Sequence, residues 1–164
     1  MASQNPPQAI NERRDRAKKE VKQLINERNQ VLSLYYSLVK QVESFDDTHN
    51  TQELLQEFCQ ELVDYLAVGH FELYRRIEEG NERRDNIKSL STDVMPQITT
   101  TTEVAMAFND LFDNSNNSKK ELDNLPTHLT QLGEHLATRI DLEDQIINAL
   151  LASSNKADLR AVNV

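Results

Sequence analysis

Four histidines (His49, His70, His128 and His135), one cysteine (Cys59) and a surplus of carboxylates are the side chains through which this 164-residue chain could do chemistry. A helical frame makes a dinuclear metal site the first to test, because such sites draw a Glu-x-x-His pair from each of two helices. No histidine here has a Glu three residues before it, and no HExxH pair occurs. His128 and His135 share one helical face, and Glu143 is a further carboxylate along the same segment, a set too thin to hold a metal. Cys59 has no partner for an internal disulfide and falls at the edge of an apolar stripe, where a cysteine acts as a small packing residue. No Gly-rich phosphate loop and no nucleophile motif appear. The residues therefore give little support to catalysis and only a thin set for a metal, and a binding role becomes the reading to pursue.

The segment Phe58 to Tyr74, FCQELVDYLAVGHFELY, carries the strongest signal for such a role. At about 100° per residue, Phe58, Leu62, Leu66, Gly69, Leu73 and Ile77 fall on one face of a helix. Asp64, Val68, Phe71 and Arg75 fall on the other, with Phe71 about 180° from Leu62. A large aromatic directly opposite the core stripe is either partner-facing or covered by another element. The periodicity alone leaves both open.

Two charges interrupt apolar stripes elsewhere. Val21, Leu24, Val31, Tyr35, Val39 and Val42 share a face with Arg28 in their midst. Leu125, Leu129, Leu132, Leu136, Ile140, Ile147 and Leu150 do the same around Glu143. Charges are seldom buried unless paired. Arg28 and Glu143 are therefore expected to meet inside the molecule, with Tyr35 or His70 completing the hydrogen bonds. Such a pair fixes helix register more than it adds stability. Gly69 and Gly133 lie within helical patterns, where each costs about 1 kcal/mol relative to Ala. Close approach of a neighbouring backbone is the expected reason at Gly69.

Four amphipathic segments must position these residues. The first runs from about Asn11 to Glu43, and DDTHN (46–50) follows as a loop. The second runs from about Thr51 to Glu79, closed by Gly80 and Asn81, with a charged connection to Ser91. The third begins near Asp93, although Thr99 to Thr102 is a β-branched run that opposes helix by about 0.5 kcal/mol per residue. After the polar loop DNSNNS (113–118), the fourth runs from about Lys119 to Ala152. Long helices joined by short polar loops predict an all-α, antiparallel four-helix bundle. The domain reading is a disordered stretch at 1–10, a single bundle at 11–152 and a flexible tail at 153–164.

Composition agrees and excludes other classes. Three Gly and four Pro argue against a turn-rich β fold. No run reaches the roughly 18–20 apolar residues of a membrane span, and the N-terminus lacks the apolar segment of a signal peptide, so the expected location is cytoplasmic. The net charge is −9, but residues 1–40 carry eight Lys/Arg against four Asp/Glu, and the remainder ten against twenty-three. An acidic body repels phosphate backbones and favours a basic partner over nucleic acid.

The residues also carry a family resemblance. FCQELVDYLAVGHFELYRRI (58–77) resembles the signature segment of the Rsd/AlgQ family of bacterial anti-sigma regulators. LINERNQVLSLYYSLV (24–39) is similar to that family's first long helix with its paired tyrosines, and MPQI (95–98) to the start of its third. LGEHLATRIDLEDQII (132–147) resembles its closing segment. The resemblance covers roughly residues 20–152. It implies a helical, non-enzymatic protein that binds region four of the primary sigma factor of RNA polymerase. Region four is the C-terminal helix-turn-helix domain that reads the promoter. Its capture would block docking on core polymerase and DNA and favour alternative sigma factors in stationary phase. The family's acid and phenylalanine of the VDY…GHF segment match Asp64 and Phe71. Ala67 stands where relatives often have Ser, and Val68 and Arg75 would complete the contact. A helical adaptor for a second protein partner and a small metal-binding bundle remain as other readings.

Overall fold

The computed structural model describes residues 6–44, 48–75, 85–114 and 116–162. Helix α1 spans Pro6–Glu43 and α2 spans Thr48–Val68. Gly69–Tyr74 continues α2 as a π turn. Helix α3 spans Asp85–Phe112, the one-turn α4 spans Lys119–Asp123, and α5 spans Leu125–Val162. No strand occurs among the described residues.

The long helices form a square in which α1 packs on α2 and α5, and α3 packs on α2 and α5. Each adjacent pair is antiparallel. Arg28 meets Asp144 while Tyr35, further along, meets Leu129. Arg139 likewise meets Thr102 while His128 meets Phe112. The expected all-α, antiparallel four-helix bundle is the observed architecture. Across the diagonal, Tyr65 of α2 reaches Glu143 of α5 through the centre.

The core is layered. Toward one end, aromatic rings cross the bundle in relay. Phe58 packs on Tyr35 at 6.0 Å and edge-on against Phe108 at 5.7 Å, and Phe112 lies 4.8 Å from Phe108. Such ring pairs contribute about 0.5–1.5 kcal/mol beyond the burial of their area. At mid-bundle the core is polar, built from Tyr65, Thr101, Arg139 and Glu143, all buried, and beyond that layer Leu24, Ile87, Val94, Ile146 and Leu150 make the other end apolar again.

Several boundaries differ from the sequence expectation. The stretch Pro6–Ile10 and the residues from 153 to 162 are helical, as are Thr48–Asn50 at the end of the expected loop. The expected terminators Gly80 and Asn81 lie outside the described residues, as does Ile77. Helix α3 starts at Asp85, not near Asp93, because Ile87, Ser91 and Val94 already follow the buried period. Pro96 is therefore interior. The threonine run stays helical with each hydroxyl donating to a preceding carbonyl, as Thr99 does to Met95 at 3.0 Å and Thr102 to Ile98 at 3.1 Å. This back-bonding satisfies the hydroxyls without leaving the helix.

The expected fourth helix is two. Ser118 caps α4 with a reciprocal Ser118–Glu121 capping box. Asn124 breaks the helix, and Pro126 falls in the first turn of α5, where its missing N–H interrupts no hydrogen bond.

Gly133 has a specific cause. The Tyr35 hydroxyl lies over its backbone while donating to Leu129 O at 2.8 Å, and a Cβ there would meet Tyr35 Cζ at 2.9 Å. Gly133→Ala should therefore destabilise the bundle by about 1–3 kcal/mol through overpacking, despite the better helix propensity of Ala. In a Tyr35→Phe background the same change should cost less. Equal costs in both backgrounds, measured by denaturant unfolding, would show that the hydroxyl is not what excludes the methyl.

Candidate functional site

Helix α2 divides by face. Phe58, Leu62, Tyr65 and Leu66 are buried, while Asp64 is exposed and Ala67 and Val68 are half-buried. Phe71 is 61 % exposed, with the His70 ring edge-on against it at 5.1 Å. No described element covers this face. Arg75 is exposed one turn further on.

The flank of this face is acidic. Glu61 hydrogen-bonds with Glu27 of α1, and this contact together with burial and the charges of Glu27, Asp64 and Glu57 raises the Glu61 carboxyl from 4.5 to about 7. Glu61 Oε1 is buried without a hydrogen-bond partner. Four carboxylates therefore lie along the α1-facing edge of the exposed surface, a set that a cationic side chain would relieve.

Behind the face stands the polar layer of the core. Arg139 is 1 % exposed and Glu143 fully buried. Arg139 Nε donates to Glu143 Oε1 at 2.9 Å, and Nη1 donates to Thr102 Oγ1 at 2.6 Å and Thr101 Oγ1 at 3.2 Å. Tyr65 donates to the same Glu143 oxygen at 2.5 Å. The guanidinium lies 5.3 Å from the Tyr65 ring and 5.6 Å from that of Tyr74. Burial opposes the charge on Arg139, and Tyr74, Glu143 and Tyr65 together hold its pKa above the ordinary value. Burial and Glu143 push both tyrosines upward, so both stay neutral; Tyr65 donates to Glu143, whereas the Tyr74 hydroxyl is buried without a hydrogen-bond partner.

The structure places the expected polar residues differently. Arg28 does approach Glu143, at 3.7 Å, but it is only half-buried and its close hydrogen bond is to Asp144 at 2.8 Å. Tyr35 completes no part of this pair, because its hydroxyl is engaged by Leu129 O above Gly133. His70 is exposed, not buried. It lies on a cavity of about 260 Å³ between the π turn and α3, bordered also by Leu66, Met95, Thr99 and Arg139. Gly69 admits the side chains of Tyr74 and Arg139 in place of a neighbouring backbone.

Arg139, Tyr65 and Tyr74 are the residues that sequence reasoning missed. Arg139 was legible, because it falls three residues after Leu136 and four before Glu143, on the buried stripe where Ile140, half-buried, was expected. Tyr74 was not. An uninterrupted α-helix puts it about 120° from Leu62. The π turn, in which Arg75 N–H bonds to His70 O, takes up one extra residue and rotates Tyr74 inward, where it is 2 % exposed. Cys59 is fully buried, and burial, with a contribution from Asp113, pushes its thiol up to about 12. No cluster of three metal-ligating side chains occurs among the described residues, and no described helix is long and apolar enough to cross a membrane.

Comparison with known proteins gives this geometry a context. Residues 4–151 match the family described as regulator of RNA polymerase sigma(70) subunit, Rsd/AlgQ. A protein named regulator of sigma D from Enterobacter sp. (strain 638) is 33 % identical over 157 residues, covering 93 % of each chain. Its namesake from Yersinia enterocolitica is 37 % identical over 97 residues, 58 % of each chain, and that from Yersinia pestis bv. Antiqua 36 % over 106 residues, 64 % of this chain and 63 % of its own. The chain thus matches less than two thirds of the length of these Yersinia relatives. No solved structure matches.

The raised Glu61 carboxyl has a consequence for stability. Between about pH 4.5 and 7 the folded chain binds more protons at this site than the unfolded chain, so stability falls as pH rises through that window. Glu61→Gln, which cannot ionise, should match the parent near pH 4.5 and exceed it at pH 8. The gain should be at most about 1 kcal/mol because the carboxyl is partly solvated. Thermal midpoints that differ by the same amount at both pH values would contradict this.

Proposed function

The chain belongs to the Rsd/AlgQ family of regulators of the RNA polymerase sigma(70) subunit, and from that membership we propose that it is an anti-sigma factor whose contact surface is the outward face of α2 and the π turn. Its partner is region four of the primary sigma factor, the promoter-reading domain. Holding that domain keeps it from core polymerase and from promoter DNA, which leaves polymerase to alternative sigma factors. The protein acts in the cytoplasm, where its partner works, and performs no catalysis.

The single observation that carries this reading is Phe71, a large aromatic left 61 % exposed on the acidic side of a bundle whose other described phenylalanines are buried. Aromatic anchors at the centre of an interface provide much of its binding energy. Val68 and Ala67 extend the apolar centre, and Ala67 offers only a methyl group between Asp64 and Phe71. Asp64, with Glu57, Glu61 and Glu27 beside it, supplies the charge that a DNA-reading domain rich in Arg and Lys would pair with. Arg75 lies at the rim. Opposite net charges steer encounter and make it sensitive to ionic strength.

Phe71→Ala and Asp64→Ala should each weaken binding to purified sigma(70) by about 1–3 kcal/mol. Neither should change the thermal midpoint appreciably, because both side chains are exposed and such substitutions stay within about 0.5 kcal/mol. Affinity should also fall as salt is raised, and it should vanish for sigma lacking region four. Unchanged affinity in both variants would overturn the assignment of the face.

A further inference from the structure

Arg139 does more than neutralise Glu143: we infer that it is the positioning residue that sets the binding face, by selecting the π register of Gly69–Tyr74. The sequence offers this segment two registers. An uninterrupted α-helix would turn Leu73 toward the core, about 20° from Leu62. The π turn turns Tyr74 there instead, and only that register adds a second aromatic ring to that of Tyr65 beside the guanidinium, at 5.6 Å. Arg139 thereby lies between Tyr65 before the turn and Tyr74 at its end. A cation between two ring faces in a dry core is worth far more than one at the surface.

The fit is close at the turn's first residue. A Cβ on Gly69 would meet Tyr74 Cε2 at 3.1 Å and Arg139 Nη2 at 3.3 Å, so glycine is what lets the clamp seat. On the α3 side the turn borders the cavity of about 260 Å³, so packing against α3 does little to hold it. The guanidinium is itself fixed from behind by Glu143, Thr101 and Thr102. Asp64 precedes the turn and Phe71 lies within it, so the angle between these two side chains depends on where the π turn sits. Lys could keep the charge at position 139 but not the planar stack or the forked hydrogen bonds.

This role rests on the outward face of α2 being the sigma contact, and a double-mutant cycle separates the two ideas. Arg139→Lys should weaken sigma(70) binding about tenfold in the parent, and less than about twofold in a Phe71→Ala background, because its effect passes through Phe71. Amide hydrogen exchange should quicken at residues 69–74 ahead of α3. Thr102→Val, which removes one support of the guanidinium while leaving the charge pair intact, should give the same pattern more weakly and serves if Arg139→Lys does not fold. Equal losses in both backgrounds, or exchange that quickens uniformly, would overturn the role of Arg139. Unchanged binding in Phe71→Ala alone would instead overturn the sigma face, and the exchange at 69–74 would still judge the clamp.

Discussion

The buried Arg139–Glu143 pair is the constraint on which the rest of this bundle depends. Two full charges out of water cost several kcal/mol each to desolvate, and, although Glu143 Oε2 makes no hydrogen bond, partners on other helices must offset that cost. Tyr65, Thr101 and Thr102 supply them from α2 and α3, so one pair on α5 dictates the register of two other helices. Arg28 extends the same network to α1 through Glu143 and Asp144. All four long helices are thereby keyed to one another at a single level. A purely apolar core would hold them together with less discrimination between registers.

The same pair sets a polar layer across the middle of the core, unlike the aromatic end beside it. Around Phe58, Phe108 and Phe112 the rings fill space through contacts that carry no charge. Around Arg139 nothing can slide without stranding a charge. The π turn lies beside this polar layer, next to the face that carries Asp64 and Phe71. The chain thus sets its proposed contact surface on a segment that meets the charged network on one side and borders a cavity on the other.

Much of this was legible beforehand because the governing signals are periodic. The stripes Leu24–Val31–Leu38 and Leu125–Leu132–Leu136 announce helices and the faces they bury, and the phase of Phe71 against Leu62 announces an outward aromatic. Arg28 and Glu143 were recognisable as charges on apolar faces. The partner of Glu143 was misread because Ile140 draws the eye to an apolar residue one place away from the true stripe. The π turn was hidden for a different reason. A helix that changes pitch keeps both residue types available, Leu73 for one register and Tyr74 for the other, and only a contact from a distant helix chooses between them. The start of α3 was lost to a related effect, since the charged stretch before Asp93 conceals the buried Ile87 and Ser91. The acid pairing of Glu61 with Glu27 is likewise a product of helix packing and has no local signature.

The most direct test of the central claim is photocrosslinking from a benzoylphenylalanine placed at position 71, followed by mass spectrometry of the product formed with full-length sigma(70). The account predicts a single major crosslink that lies within region four of sigma and is suppressed by unlabelled parent protein. A crosslink confined to another part of sigma, or an equal yield from a probe at exposed position 138 on α5, the helix diagonal to α2, would contradict it.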